Sequence, residues 1–228
     1  MWSADLAYAV GLTATDGCLC NDRRHLAFDS ADMELIEIYA RCVGHQVRPR
    51  RDSGGGNSYQ MQYGDVALWD WFVSIGLSPR KSLTLGALDV PDEFLFHVVR
   101  GLFDGDGTIR NFVHAPTRRR YPNYLYERLV VRFTSGSRAH LDWLRSRLAS
   151  ALGLGGSITH MRDRRRESGG SYYLQYAKRD SERLLVRLYV DSDGRRLERK
   201  WRIWDAYLRG ELCRRRDSNP HGLAATRP

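Results

Sequence analysis

The chain has 228 residues, of which 42% are hydrophobic and 11% aromatic, and this content excludes general disorder and supports one large or two small domains. Its formal net charge is +9, and nearly all of its basic side chains are arginines. The arginine fork suits phosphate and guanine, so the charge favours nucleic acid as the partner. No membrane span is predicted, because the apolar runs are short, and no signal peptide is predicted, because no basic region followed by an apolar run and a cleavage site begins the sequence.

The cysteines and histidines follow no metal-binding spacing. Cys18 and Cys20 are only two residues apart and have no second pair, and the histidines lack the spacing of metal nucleases. We expect reduced thiols, with Cys18 and Cys42 in or near the core. The residues that carry chemistry must therefore be sought elsewhere.

The first predicted element is an apolar helix that ends in Gly11-Leu12-Thr13-Ala14-Thr15-Asp16-Gly17, here called the first box. A carboxylate is disfavoured at the C-terminal end of a helix, because the macrodipole makes that end negative. Gly11 and Thr15 lie one turn apart, and small residues at this spacing let two helices approach closely. We expect Gly17 to end this helix in the left-handed conformation. The same holds for the glycine at the equivalent place of the second copy, described below.

The rest of the first half predicts a strand, a helix, two strands and a helix. They cover residues 24–28, 31–43, 47–51, 58–63 and 66–75, with a glycine-rich turn at 52–57. A short segment that contains Lys81 closes this half, and Pro91 and Asp92 mark the junction with the second. Asp92 is the predicted N-cap of a second apolar helix.

The second half repeats this order. Its apolar helix ends in the second box, Gly101-Leu102-Phe103-Asp104-Gly105-Asp106-Gly107, which shares the pattern Gly-Leu-x-x-x-Asp-Gly. An extended hairpin is predicted around 111–127, followed by elements at 129–133, 138–152, 157–161, 171–176 and 181–189 and a Trp-rich helix near Lys200. The hexapeptides at 58–63 and 171–176 share Ser-Tyr-x-apolar-Gln-Tyr, which fixes the register of a duplication.

Two boxes that head the same order of elements resemble the LAGLIDADG family of homing endonucleases in its single-chain, two-repeat form, over about residues 3–208. The first box lacks the inner acid that Asp104 supplies in the second, but both keep the final acid. The resemblance implies an α+β fold of tandem αββαββα repeats related by a pseudo-twofold axis. Two antiparallel sheets would form a DNA-binding saddle, with the box helices packed at the interface. The expected division is residues 1–90, 91–212 and a flexible basic tail at 213–228.

The resemblance also implies an active centre where Asp16 and Asp106 meet. These acids, with Gly17 and Gly107 beside them, would hold two or three Mg²⁺ ions, for which Mn²⁺ or Ca²⁺ can substitute in binding. Lys81 and Lys200 occupy the places of the family's basic catalytic residues, where an ammonium group would stabilise phosphate charge. The implied reaction is Mg²⁺-dependent phosphodiester hydrolysis that makes a double-strand break in a long, pseudo-palindromic or asymmetric site.

DNA contacts are expected from the predicted strands, whose side chains would face the major groove. The candidates are Arg48, Arg50, Arg51, Gln60, Gln62, Arg110, Arg118, Arg119, Arg120, Arg128, Arg132, Arg162, Arg164, Arg165, Arg166 and Gln175. Gln60 and Gln175 are candidates for bidentate contacts to adenine. A single arginine is more often a phosphate contact than a base reader, so the prediction belongs to the group.

The implied partner is double-stranded DNA, with the protein's own intron RNA as a further candidate and no membrane. We expect a free-standing monomer encoded by a mobile element rather than the nuclease part of an intein. It would act in the nucleoid of a bacterium or archaeon, or otherwise in an organelle or nucleus. The alternative is a nucleic-acid-binding protein on the same fold, either an intron RNA maturase or a transcription regulator that has lost catalysis.

Overall fold

The structure, a computed structural model, describes residues 1–46, 49–51, 58–114, 126–162, 170–192 and 194–210. The helices are α1 (Ala4–Asp16), α2 (Met33–Val43), α3 (Val66–Ser74), α4 (Leu95–Asp106), α5 (Arg138–Leu152), α6 (Lys178–Tyr189) and α7 (Glu198–Leu208). The strands are β1 (Gly17–Leu19), β2 (His25–Ser30), β3 (Arg50–Arg51), β4 (Tyr59–Gly64), β5 (Thr108–His114), β6 (Tyr126–Ser135), β7 (Ser157–Arg162) and β8 (Gly170–Tyr176). None of these helices combines the length and the apolar character that a bilayer crossing requires.

The strands form two antiparallel sheets of four with the same topology, β1-β2-β4-β3 and β5-β6-β8-β7. The register repeats as well: Phe28 lies opposite Met61 in the first sheet, and Phe133 lies opposite Leu174 in the second. All four of these side chains are buried. The expected α+β fold of two antiparallel sheets in a duplicated arrangement is therefore confirmed, and α7 is an addition to the second copy.

The short strand β1 was not assigned as a separate element from the sequence, since three residues are too few for an alternating pattern to show. Its counterpart β5 begins three residues before the predicted hairpin and pairs with β6 along its whole length. Residues 115–125 between these strands lie outside the described residues. Each box is therefore followed directly by a strand, so the chain turns sharply at the box.

This sharp turn explains the glycines that end the boxes and corrects the expected left-handed conformation. Gly17 has φ −86° and ψ 159°, and Gly107 has φ −78° and ψ 158°, both extended. A Cβ atom at Gly17 would lie 2.6 Å from the Cα atom of Thr13, and one at Gly107 would lie 2.4 Å from the carbonyl oxygen of Phe103. Glycine is required because the strand turns back against its own helix, where no Cβ fits.

Two further expectations from the sequence were wrong. Asp92 does not cap α4: it opens a 3₁₀ turn, Phe94 holds the N-cap position without a side-chain bond, and the Asp92 carboxylate instead accepts a hydrogen bond from Arg147 at 2.8 Å. Cys18 is exposed rather than in the core, because it lies between the inward-facing Gly17 and Leu19 of β1. Cys42 is buried as expected.

The two box helices α1 and α4 pack side by side at the centre of the molecule. A Cβ atom at Gly11 would lie 2.1 Å from the carbonyl oxygen of Val98, and one at Gly101 would lie 2.2 Å from that of Tyr8. The backbones therefore touch where the glycines face each other, as the spacing of small residues predicted. This contact brings the C-terminal ends of both helices together.

Polar side chains are buried beside this contact. The Tyr8 hydroxyl donates to Asp104 Oδ2 at 2.8 Å, and the backbone N–H of Leu197, at the N-cap of α7, donates to the same oxygen at 3.1 Å. Burial raises the pKa of Asp104 to about 6, and the nearby Lys200 and the Tyr8 hydroxyl oppose the rise. The inner acid of the second box thus joins both box helices to the start of α7.

Replacing Tyr8 with Phe removes one of the two hydrogen bonds that Asp104 Oδ2 accepts. A buried acceptor that loses its partner costs about 1–3 kcal/mol, so we expect the free energy of unfolding to fall by that amount. Urea unfolding at pH 7.5 measures it. The control is Tyr173→Phe, on the open face of the second sheet, where we expect a change within about 0.5 kcal/mol. Equal losses in the two variants would contradict a role for the Tyr8–Asp104 bond.

Candidate active site

Asp16 and Asp106, the final acids of the two boxes, lie at the adjoining ends of α1 and α4. A Cβ atom at Gly105 would lie 2.0 Å from Thr15 Oγ1 and 2.9 Å from Asp16 Oδ2. The Asp16 carboxylate therefore lies against the second box, one residue away from Asp106. The structure brings the two predicted acids together, as the duplicated boxes led us to expect.

The carboxylates of this pair are destabilised in their charged forms. Burial raises the pKa of Asp16 to about 6, and the neighbouring Asp106 carboxylate is the second cause. Desolvation also raises the pKa of Asp106, although its side chain is open to solvent. Two carboxylates at the negative ends of two helices repel each other, and cationic groups must lie nearby to hold them ionised.

The cationic groups are the two predicted lysines, which occupy equivalent places. Lys81 lies in the 3₁₀ turn Lys81–Leu83, is 5% exposed, and its ammonium group donates to the carbonyl oxygen of Gly17. Lys200 lies in α7, is 2% exposed, and donates to the Gly107 oxygen at 2.6 Å. It also bonds the oxygens of Phe103 at 2.5 Å and Asp104 at 2.9 Å. Each ammonium group thus neutralises the end of one box helix.

The lysines and the acids affect each other's ionisation. Burial lowers the pKa of Lys200 to about 8 and lowers that of Lys81, while the Asp16 and Asp106 carboxylates oppose both shifts. In turn, Lys200 and then Lys81 oppose the rise in the pKa of Asp106. With these four groups ionised, two negative charges balance two positive ones, and the buried Asp104 adds a further negative charge beside Lys200.

Each lysine segment is held by the opposite repeat. After Lys81, the carbonyl oxygen of Leu85 accepts a hydrogen bond from Ser137 Oγ at 2.6 Å, at the start of α5. Before Lys200, Arg199 bonds both oxygens of Asp32, the N-cap residue of α2, at 3.1 and 3.0 Å. Contacts between the two repeats therefore hold both lysine segments.

A divalent ion at this site would have two carboxylates and little else from the protein. Within the described part of the chain, no three or more His, Cys, Asp or Glu side chains are placed to enclose a metal. The oxygens of Gly17 and Gly107, predicted as ligands, receive the lysine ammonium groups. The donor set fits Mg²⁺, which binds through one or two carboxylates and completes its shell with water and phosphate oxygens.

Comparison with known proteins is consistent with this geometry. Residues 93–189 match the family model of the LAGLIDADG-like domain. The match covers most of the second repeat and less than half of the chain. No curated protein matches the chain. The resemblance that the twin boxes suggested is therefore confirmed for the second repeat.

Solved structures extend the LAGLIDADG fold to the whole chain. Meganuclease I-SmaMI bound to uncleaveable DNA has 14% identity and a TM-score of 0.59, covering 95% of this chain and 93% of that one. Mesophilic variants of the homing endonuclease I-DmoI have 15% identity and a TM-score of 0.51, with 81% and 94% covered. Full-length DUF199/WhiA from Thermatoga maritima has 13% identity and a TM-score of 0.52, with 96% and 70% covered. At such low identities the likeness shows the fold alone, and the TM-scores and coverages show that it extends over both repeats.

The predicted DNA-contacting side chains of the first repeat lie on the open face or the edge of its sheet. Gln60 and Gln62 are exposed, whereas Met61 and Tyr63 between and beside them are buried. Arg50 lies opposite Gln60 on the edge strand β3, and both Arg50 and Arg51 are exposed. Arg48 lies outside the described residues.

The second repeat places its arginines on the corresponding open face. Arg110, Arg128 and Arg132 alternate with core residues of β5 and β6, and Gln175 does so on β8. Arg162 ends β7, and nothing is described of its side chain. Arg118, Arg119, Arg120, Arg164, Arg165 and Arg166 lie outside the described residues, as does the 213–228 tail.

Sequence reasoning missed how unusual the two lysines are and what Asp104 does. The chain contains only three lysines among its 36 basic residues, and two of them are Lys81 and Lys200. A rare residue type at equivalent places of the two repeats is a signal that the sequence alone could have given. The role of Asp104 had no such signal, because its partners Tyr8 and Leu197 are distant in the chain.

Proposed function

We propose that this protein is a site-specific DNA endonuclease that makes double-strand breaks in a long, asymmetric target by Mg²⁺-dependent phosphodiester hydrolysis. The observation that carries the proposal is the meeting of Asp16 and Asp106 at adjoining helix ends, each end backed by a buried lysine. If the two acids served only to end their helices, their charges would destabilise the folded state. The pair is explained if it holds a cation against a DNA backbone.

The sheets and the lysines of the chain have separate roles in the proposed reaction. The open faces of the two sheets bind the DNA duplex and set its position, so that one phosphodiester of each strand lies at the carboxylate pair. Lys81 and Lys200 hold the box ends and keep the carboxylates ionised by their charge. When bound, Mg²⁺ would supply the acidity that activates water and would stabilise the leaving 3′-oxygen. A bound divalent ion would add two positive charges to the site and so would favour the approach of a phosphate group.

The acid pair gives the proposal a pH dependence. The pKa of Asp16 is raised to about 6, so its carboxylate is ionised above that pH and protonated below it. Only the ionised form binds a divalent ion, so we expect the affinity for Ca²⁺ or Mg²⁺ to fall as the pH drops through 6, by about tenfold per unit for each proton taken up. Calorimetric titration with CaCl₂ between pH 5 and 7.5 measures this. Affinity that is constant over this range would contradict ion binding by Asp16.

The proposed activity is tested with the purified full chain and plasmids that carry the uninterrupted DNA of the gene's insertion locus. We expect linear product with MgCl₂, and none with EDTA or with a plasmid that lacks the locus. Binding to the locus plasmid without cleavage, under all divalent ions tried, would contradict the endonuclease and leave a DNA-binding protein.

That non-cleaving protein is the second candidate, and one observation favours it. The ammonium groups of Lys81 and Lys200 donate to helix carbonyl oxygens, so they offset the charge of the acid pair without any ion. A regulator or an RNA maturase on the LAGLIDADG fold would keep such a cluster for packing alone. It would bind nucleic acid equally well in EDTA, and Ca²⁺ would not raise its melting temperature.

A further inference from the structure

Arg132 lies on the open face of the second sheet, at the end of that face nearest to the acid pair. Arg132 lies on β6 between Val131 and Phe133, which are 0% and 2% exposed. Because side chains alternate along a strand, Arg132 faces away from the core. Its partner across the sheet is Thr108, two residues after Asp106. Arg132 therefore lies on the open face close to the acid pair.

The guanidinium group of Arg132 is held in one position by two neighbours on β8. Its Nη2 atom donates to Gln175 Oε1 at 2.7 Å, and its central carbon lies 4.2 Å from the centre of the Tyr173 ring. A guanidinium group that is stacked and hydrogen-bonded in advance loses little side-chain entropy when it binds a ligand. The arrangement is that of a pre-organised recognition group rather than a mobile surface charge.

The charge of Arg132 is left available. Both of its neighbours are neutral, and within the described residues no carboxylate forms an ion pair with it. Gln175 occupies one N–H group, and a guanidinium has five. The remaining donors can bind a ligand that presents two acceptors side by side. On a DNA major groove, that ligand is O6 and N7 of guanine.

We propose that Arg132 reads a guanine in the half-site bound by the second sheet, and that Gln175 and Tyr173 are its positioning residues. This rests on the proposed binding of double-stranded DNA. It also replaces the expectation that Gln175 contacts adenine. In this arrangement the amide oxygen of Gln175 accepts from Arg132, so Gln175 holds the guanidinium group instead of reading a base. The base is guanine because a fixed fork of donors matches its two acceptors.

The first repeat supplies a built-in comparison. Since Phe28 and Met61 correspond to Phe133 and Leu174, the counterpart of Arg132 is Ala27, which lies opposite Gln62. An alanine offers no donor, so Gln62 has no guanidinium group to hold in place. The two sheets therefore present different chemistry at equivalent positions, and guanine is selected at this position only in the second half-site.

The inference is tested by selection from a random double-stranded DNA library, in CaCl₂ to prevent cleavage, followed by affinity measurements on the selected duplex. We expect the wild type to prefer G·C at one inner base pair by about 10- to 100-fold over other pairs. Arg132→Ala should abolish that preference and leave preferences elsewhere unchanged. Gln175→Ala should weaken it, while Tyr173→Phe, which keeps the stacked ring, should retain it.

A phosphate contact would give a different result. If Arg132→Ala weakened binding uniformly across sequences and reduced the salt dependence by about one charge, the inference would be overturned while DNA binding stood. If the wild-type protein bound no DNA, the proposed function itself would fail, and the inference with it.

A gain-of-function variant completes the test. The double variant Ala27→Arg and Gln60→Tyr rebuilds the Arg–Gln–Tyr set in the first sheet around Gln62. We expect it to acquire a guanine preference of about 10-fold or more at the symmetry-related base pair. The proposed positioning of arginine by glutamine and tyrosine would be contradicted if the variant acquired no preference there, although circular dichroism showed it folded and it bound DNA.

Discussion

Replacing Asp16 or Asp106 with Asn is expected to abolish DNA cleavage while leaving DNA binding intact. Each substitution removes one of the two carboxylates available to a divalent ion, and neither acid lies on the open faces of the sheets. We expect the rate of double-strand cleavage to fall by about 10³-fold or more for either single variant. The double variant should be no worse than the singles, because groups that act as a unit are not additive.

The measurement is plasmid cleavage in MgCl₂ beside DNA affinity in EDTA. The matched control is Asp70→Asn, which replaces a solvent-exposed acid on α3. This variant should cleave at the wild-type rate. Undiminished cutting by the double variant would contradict any catalytic role for the acid pair. Loss of DNA affinity together with cleavage would instead indicate that the acids maintain the arrangement of the two sheets.

The same variants should change stability in the opposite direction from activity. The folded-state pKa of Asp16 is raised to about 6 from its ordinary 3.8, so its ionisation costs folding free energy, and that cost is fully present above pH 6. Asp16→Asn removes the cost. We therefore expect a higher melting temperature than wild type at pH 7.5 without divalent ions, with the difference shrinking as the pH falls toward 4. A lower melting temperature at pH 7.5 would contradict this reasoning.

Much of the fold could be predicted because the same order of elements occurs twice in the sequence. The hexapeptides at 58–63 and 171–176 gave the register of both sheets, and the glycines of the boxes gave the close helix pair. Periodic burial carries such information locally, since it depends on residues a few positions apart. The errors arose where the structure depended on a turn instead. Gly17 and Gly107 looked like helix-ending glycines, but the constraint is a strand folded against its own helix.

The site was predictable in its members but not in their orientation. The positions of Lys81 and Lys200 followed from the order of elements, yet nothing in the sequence shows an ammonium group turned toward carbonyl oxygens. The bonds of Ser137 to Leu85 and of Arg199 to Asp32 join residues 52 and 167 positions apart. Such contacts arise from the relative placement of the repeats, which local patterns do not encode.

The helix pair that carries the site is expected to be the most sensitive part of the molecule to added volume. In Gly101→Ala the new Cβ would lie 2.2 Å from the carbonyl oxygen of Tyr8 and 2.9 Å from the Cα atom of Gly11. Both are backbone atoms, so no side chain can move aside, and α1 and α4 must separate. Overpacking of this kind costs about 1–3 kcal/mol or more, a large part of the stability of an ordinary domain.

Helix separation also predicts a loss of function beyond the loss of stability. Asp16 and Asp106 meet only because the glycines let the backbones touch, so Gly101→Ala should weaken ion binding even where the variant remains folded. Urea unfolding and CaCl₂ titration at 10 °C measure the two effects. The control is Gly86→Ala, whose Cβ would have no atom within 4 Å and should change neither. A Gly101→Ala variant with wild-type stability and wild-type ion affinity would show that the acid pair does not depend on the close contact of the helices.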